Sequence, residues 1–299
     1  MSLKVWFLET RPAFLLLSIA LVFLGTSVSF YHGHFNALDF VLSAIGLVLA
    51  HASVNVFNDY FDYKSGIDLE TKRTAFSGGS GILPAGFMTS KNVYLFAAVS
   101  LTIAFFIGVY FVFTSGWMLL PLILIGGLSI YFYTPLLTKW LVGEIFAGLG
   151  LGTLPVLGVY FIQTGKYSPE AAFISIIPGL LTFNLLYLNE FPDLEADKKG
   201  GRHHIVIALG RKKASILYTA IIIMTYLFVV VGVITKIMPA ITLISLVTLP
   251  IAYEAAVTTI KYYDNIPKLI PALKFNVITI LGIDTLLALS YFIAHIMSV

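Results

Sequence analysis

The sequence contains no cysteine, which excludes disulfides, thiolate metal ligands and thiol nucleophiles. Charge is nearly as scarce: 11% of the 299 residues are Asp, Glu, Lys or Arg, against about 25% in an ordinary soluble domain. That scarcity excludes a soluble enzyme and a disordered chain alike. The G-x-x-x-x-G-K-S/T pattern of a P-loop is absent. With 18 Lys and Arg beside 15 Asp and Glu, the net charge of +3 makes no nucleic-acid surface. No small-residue cleavage site suits a signal peptide, so Ala13 to Tyr31 reads as a retained first span.

What the chain has in abundance is apolar sequence. Hydrophobic residues make up 59% of it and fall in runs of about twenty, the length a helix needs to cross the roughly 30 Å hydrocarbon layer. The expected fold is therefore all-α and polytopic, a single transmembrane domain over residues 1–299. Hydropathy windows place nine spans near 13–31, 38–57, 93–113, 117–133, 141–163, 168–188, 214–235, 238–260 and 275–297. With the N-terminus in the cytoplasm, only Lys166 and Lys236 of the 18 Lys and Arg fall outside. That bias predicts a cell-membrane protein with a cytoplasmic N-terminus and an external C-terminus. Two long polar connections, 58–92 and 189–213, then cap the cytoplasmic face.

These two caps hold most of the acids. Asn55, Asn58, Asp59 and Asp62 sit at i, i+3, i+4 and i+7, on one face of the second span if its helix continues to about residue 63. Asn189, Asp193 and Asp197 repeat at i, i+4 and i+8 on the sixth. Two facing carboxylate pairs need cations to neutralise them. Hard oxygen ligands select Mg²⁺, which usually completes its shell with substrate phosphates. The pattern thus predicts Mg²⁺ on Asp59, Asp62, Asp193 and Asp197, with a diphosphate between the two helices. Lys72, Arg73, Lys139, Lys198 and Arg202 are candidates for direct charge on its oxygens. The competing reading of such acids is that they merely solvate helix ends.

Asn58-Asp59-x-x-Asp62 with Lys72-Arg73-Thr74, together with Asp193-x-x-x-Asp197, resembles the UbiA superfamily of intramembrane aromatic prenyltransferases over nearly the whole chain. The stretches 58–68, Ser77-Gly78-Gly79-Ser80-Gly81 and 191–198 are most similar to its 1,4-dihydroxy-2-naphthoate polyprenyltransferase (MenA) branch. The resemblance implies a nine-helix UbiA-like fold, a polyprenyl diphosphate donor and an aromatic acceptor. Asn58 and the four aspartates are then catalytic, with Asn55, Asn189, Arg11 and Tyr133 joining the basic residues around the diphosphate. Two departures stand out. The family's Tyr-x-x-x-Lys element is stretched here to Tyr133 and Lys139, six apart, and its usual Lys-Arg-Thr after the second acidic motif is replaced by Gly201-Arg202-His203-His204.

The same donor chemistry would serve another acceptor, such as 4-hydroxybenzoate, a haem precursor or a glycerol-phosphate ether lipid. A secondary transporter would also account for nine spans and for Glu254 and Asp284 within them. The histidines His203 and His204 read as interfacial, Gly78 to Gly81 as either a flexible turn or an anion-binding nest, and Glu144 as a group near the acceptor.

Overall fold

The computed structural model describes residues 2–74 and 76–298. Helix accounts for 82% of the chain, and no strand occurs among the described residues. The chain runs α1 (Leu3–Glu9), α2 (Pro12–Tyr31), α3 (Ala37–Ser65), α4 (Ile67–Glu70), α5 (Ser90–Ser115) and α6 (Leu120–Phe132), then α7 (Gly143–Gly148), α8 (Leu154–Thr164), α9 (Pro169–Lys199), α10 (Ile205–Ile234), α11 (Leu249–Tyr262) and α12 (Ile266–Ser298). Among the described residues, eight helical segments are long and apolar enough to span a bilayer. The fourth expected span is helical too, but Trp117–Phe132 is shorter than these.

Four helices, α3, α9, α10 and α12, run to 29 residues or more, and α3 and α9 project past the membrane at the same end. α3 has 29 residues and α9 has 31, so at 1.5 Å per residue each exceeds 40 Å, about 10 Å more than the hydrocarbon layer. The expectation of a polar loop over 189–213 is therefore corrected. α9 runs to Lys199 and α10 begins at Ile205, leaving only 200–204 between them. Local sequence sets these limits. Asn36 caps α3 by accepting the Leu38 and Asp39 amides, and Gly66, at φ 82°, ends it. Ser168 accepts the Ala171 amide ahead of Pro169 to start α9.

Close crossings hold the helices together. A Cβ on Gly25 of α2 would meet the Val156 carbonyl at 2.8 Å, and one on Gly152 would meet the Pro178 carbonyl at 2.5 Å, so small residues set the helix spacing. Between α7 and α8 the backbone loosens into a π turn over Leu149–Thr153, with Leu151 non-helical. Thr182 of α9 donates to the Leu151 carbonyl at 2.7 Å, which satisfies a group the kink frees. One large core joins α2, α8, α9, α10, α11 and α12. A smaller one joins α3, α5 and the segment before α5, where Phe57 packs edge-on to Tyr94 and Tyr131.

Candidate active site

The overshooting ends of α3 and α9 meet through the glycine-rich turn. The Gly78 amide donates to Asp193 Oδ2 at 3.2 Å and the Ser80 amide to Asp59 Oδ2 at 2.8 Å. The turn therefore staples the two acidic helices, and these amides are engaged by the protein's own carboxylates. Gly78, Gly79 and Gly81 all have φ between 71° and 81°. At Gly79 a Cβ would lie 3.1 Å from Asp59 Oδ1 and 3.2 Å from Asp68 Oδ1; only glycine lets the backbone pass between those acids in this conformation.

Two arginines divide the aspartates. Arg11, itself left-handed at φ 53° just before Pro12, places Nη2 on Asp59 Oδ1 and 3.1 Å from Asn58 Oδ1. Arg202 donates to both oxygens of Asp62 and, at 2.9 Å, to Asp197 Oδ1. Burial opposes the charge on each guanidinium, but Asp59 for Arg11 and Asp62 for Arg202 outweigh it and push both pKa values up. Asn58 donates to Asp62 Oδ2 at 2.8 Å and to the Thr134 hydroxyl at 3.1 Å, which fixes the Asp62 carboxylate. Asn55 instead donates to the Thr10 carbonyl and ties α3 to the start of α2.

Some carboxylate oxygens stay unpaired. Asp68 Oδ2 and Asp193 Oδ1 are buried without a hydrogen-bond partner, as is the amide oxygen of Asn189. Burial, and after it the charges of Asp59 and Asp62, push the Asp68 carboxyl up to about 8. Glu9, fully buried and accepting the Ser80 hydroxyl at 2.6 Å, is likewise raised to about 8, by burial first and then by Asp59. Arg11 and Arg202 supply too little positive charge for so many acids, and the orphaned oxygens are hard donors.

A cavity of about 730 Å³ starts at this cluster and continues as an apolar chamber. Arg11, Asn55, Asn58, Asp62, Tyr133, Asn189, Asp193, Asp197 and Arg202 all border it, so most of the sequence-predicted residues converge on one space. Asp59 is 1% exposed, engaged by Arg11 and Ser80, and does not border it. Lys72, Arg73 and Lys139 are exposed and do not border it either. Arg73 wraps its guanidinium around the carbonyls of Gly78, Gly79 and Ser80, holding the turn from outside. Farther in, Phe105, Phe106, Leu124 and Leu128 of α5 and α6 border the cavity and are exposed on the helix surfaces. The chamber thus opens sideways, toward lipid.

The structure adds residues that spacing did not single out. Asp68 borders the cavity because the Gly66 turn folds α4 back against α9. His51, two turns before Asn58 on α3, borders it with one ring nitrogen 2.9 Å from the Ser18 hydroxyl. His204 is not interfacial: it is 2% exposed and sits 3.2 Å from Asp197. Glu254 lies exposed on α11 and Asp284 is fully buried in α12, neither bordering the cavity. Glu9-x-Arg11-Pro12 ahead of the first span was the available signal for Glu9; Asp68 lies at the end of the 58–68 stretch but beyond its helix.

Residues 12–278 match the UbiA prenyltransferase family. The chain is 35% identical to the 1,4-dihydroxy-2-naphthoate octaprenyltransferase of Bacillus subtilis (strain 168), covering 76% of this chain and 72% of that protein. It is 25% identical to the 2-carboxy-1,4-naphthoquinone phytyltransferase of a Synechocystis species, over 91% of this chain and 87% of the other. The fold is similar to that of a UbiA homolog from Archaeoglobus fulgidus bound to GPP and Mg²⁺, with a TM-score of 0.64 at 16% identity over 95% of this chain and 99% of the other.

Proposed function

The chain belongs to the UbiA prenyltransferase family, and from that premise we propose that it transfers a polyprenyl group from an allylic polyprenyl diphosphate to 1,4-dihydroxy-2-naphthoate, a step of menaquinone synthesis. The observation that carries this reading is the cavity's two-part character: buried acids with unpartnered oxygens at one end, and an apolar chamber open toward lipid at the other. A charged diphosphate head and a long hydrocarbon tail need those two environments in contact. The acceptor is assigned from the Bacillus subtilis relative.

The donor set suits Mg²⁺, since the orphaned atoms on Asp68, Asp193 and Asn189 are all oxygen and sit beside Asp62 and Asp197 at the cavity mouth. We assign Mg²⁺ to Asp62, Asp68, Asp193 and Asp197, with Asp59 acting through Arg11. When bound, the ion supplies positive charge to the departing diphosphate. The chain's own residues do the rest. Arg202 and Arg11 place fixed guanidinium charge beside the same oxygens, aimed where negative charge grows as the allylic C–O bond breaks. Asn58 holds Asp62 in place. The apolar walls exclude water from the allylic cation, whose electron-poor carbon bonds to the electron-rich ring. The ring regains aromaticity as the acceptor carboxylate leaves as CO₂. The charge bias of the sequence puts this end of the molecule at the cytoplasmic face.

The test is the detergent-purified protein with Mg²⁺, geranylgeranyl diphosphate and 1,4-dihydroxy-2-naphthoate, with product followed by mass spectrometry. Prenylated product that disappears in Asp193→Ala supports the reading. Pyrophosphate release without that product overturns the acceptor. Neither turnover nor binding of the prenyl diphosphate overturns the whole assignment.

A further inference from the structure

Beside the diphosphate end of the cavity lies a second group of ionisable side chains that the proposed reaction does not use. Glu144 at the start of α7, Glu190 on α9 and His204 just before α10 each bring a ligand atom to within 4.8 Å of the other two. They are 0%, 8% and 2% exposed. The starts of α7 and α10 and the flank of α9 therefore converge on one buried point, and through Glu190 and His204 it borders the cavity.

Their hydrogen bonding is incomplete in a particular way. Glu144 accepts the Ile205 amide through Oε1 at 2.7 Å, but its Oε2 is buried without a partner. Glu190 Oε2 approaches His204 Nδ1 to 3.3 Å yet makes no hydrogen bond. The other ring nitrogen, Nε2, faces Asp197 Oδ2 at 3.2 Å, and Nδ1 receives only a long contact, 3.4 Å, from the Ile207 amide. With Nε2 facing Asp197, Nδ1 is the ring nitrogen on the glutamate side, and the unpartnered oxygens of Glu144 and Glu190 stand buried near it. Buried carboxylate oxygens so grouped call for a positive charge among them. No lysine or arginine pairs with Glu144 or Glu190 among the described residues.

We propose that Glu144, Glu190 and His204 bind a divalent first-row transition metal, at a site separate from the carboxylates that face the diphosphate. One imidazole nitrogen with two carboxylates is a ligand set for Zn²⁺ or Mn²⁺ rather than for Mg²⁺, which favours oxygen and retained water. Two carboxylates balance the ion's charge. The contact from Asp197 to the far side of the ring is the usual support for a metal-bound histidine, since it fixes the tautomer and orientation. Ligand atoms in a tetrahedral site with bonds near 2.0 Å stand about 3.3 Å apart, so binding draws these three together. Three protein ligands leave a coordination position for an oxygen from the cavity.

The experiment needs no turnover and no prenyl diphosphate. Full-length protein in detergent is stripped with chelator, then titrated with Zn²⁺ by calorimetry and with Mn²⁺ by electron paramagnetic resonance. The site predicts one tight equivalent of Zn²⁺, nitrogen coupling in the Mn²⁺ spectrum, and at least tenfold weaker binding in Glu144→Gln and Glu190→Gln. His204→Gln removes the nitrogen coupling, and Asp193→Asn leaves the tight equivalent in place. Each variant is first shown to be monodisperse with a cooperative thermal transition. The proposal is overturned if no stoichiometric metal binds, if the coupling is absent, or if Asp193→Asn removes the ion while the two glutamate variants keep it.

Discussion

On α3, Asp59 and Asp62 follow Asn58; on α9, Asp193 and Asp197 follow Asn189. At the sequence level the two helix ends look like equivalent halves of one ligand set, but their wiring differs. Asp59 is occupied by Arg11 on one oxygen and the Ser80 amide on the other, and it lies off the cavity. Asp193 has one oxygen on the Gly78 amide and the other unpartnered at the cavity. What separates them is which neighbour reaches each acid first. The N-terminal segment delivers an arginine to α3, while Arg202, from the turn after α9, bridges Asp62 to Asp197 across the two helices.

The comparison breaks most sharply under neutral substitutions. Asp62→Asn and Asp193→Asn each remove charge at the cavity, and we expect kcat/KM to fall by about 10³, the scale of losing one group aimed at developing charge. Asp59→Asn, which reaches the cavity only through Arg11 and the Ser80 turn, is expected to cost about tenfold. Steady-state kinetics with a fixed acceptor measures all three. Equal losses at Asp59 and Asp62 would mean that both acids face the diphosphate.

Much of this arrangement was legible before any coordinates. The apolar runs located the eight spanning segments and the shorter Trp117–Phe132, though not the short α1 and α4, and the i, i+4, i+8 spacing put Asn189, Asp193 and Asp197 on one face of α9, where all three border the cavity. What spacing leaves open is anything fixed by a turn. Gly66 ends α3 and folds α4 back, so Asp68 arrives at the cavity although it is off the helical register of Asp62. Lys72, Arg73 and Lys139 have the right charge for a diphosphate, yet they sit exposed and away from the cavity, with Arg73 spent on loop carbonyls. The fourth segment, expected over 117–133, is helical over Trp117–Phe132, and only the 3₁₀ form of its first turn after Gly116 lay beyond hydropathy. His204 is buried through contacts with Glu190 and Asp197, residues 14 and 7 positions earlier that α9 and a tight turn bring beside it.

A double-mutant cycle sharpens the role of Arg11. Asp59 is 1% exposed and its arginine partner is the residue that precedes α2, so Arg11→Met strands a buried carboxylate. Removing one partner of a buried pair typically costs about 3 kcal/mol or more; partial exposure of the Arg11 side chain places the expected loss near the bottom of that range. Arg11→Met combined with Asp59→Asn removes both charges and should recover most of the lost thermal stability. Additive losses in the double mutant would show that the two side chains do not depend on each other.

The smallest expected effect concerns protons at the same junction. Glu9 titrates near 4.5 when free, and burial together with the charge of Asp59 raises it to about 8 in the folded chain. Between those values the folded state keeps a proton that the unfolded state has released. Its stabilising contribution is therefore complete below about 4.5 and is lost as pH rises through about 8. Metal-free protein in detergent should melt at progressively lower temperature across that window. Glu9→Gln mimics the protonated form, and its amide oxygen can still accept the Ser80 hydroxyl, so the variant should show a shallower pH dependence and match the wild type at the acidic end. Asp68, raised to about 8 by burial and by Asp59 and Asp62, leaves a residual slope of the same sign. An unchanged slope in Glu9→Gln would mean that Glu9 is ionised in the fold. The N-terminal arm would then carry a negative charge beside Asp59, and Arg11 would have to balance both acids.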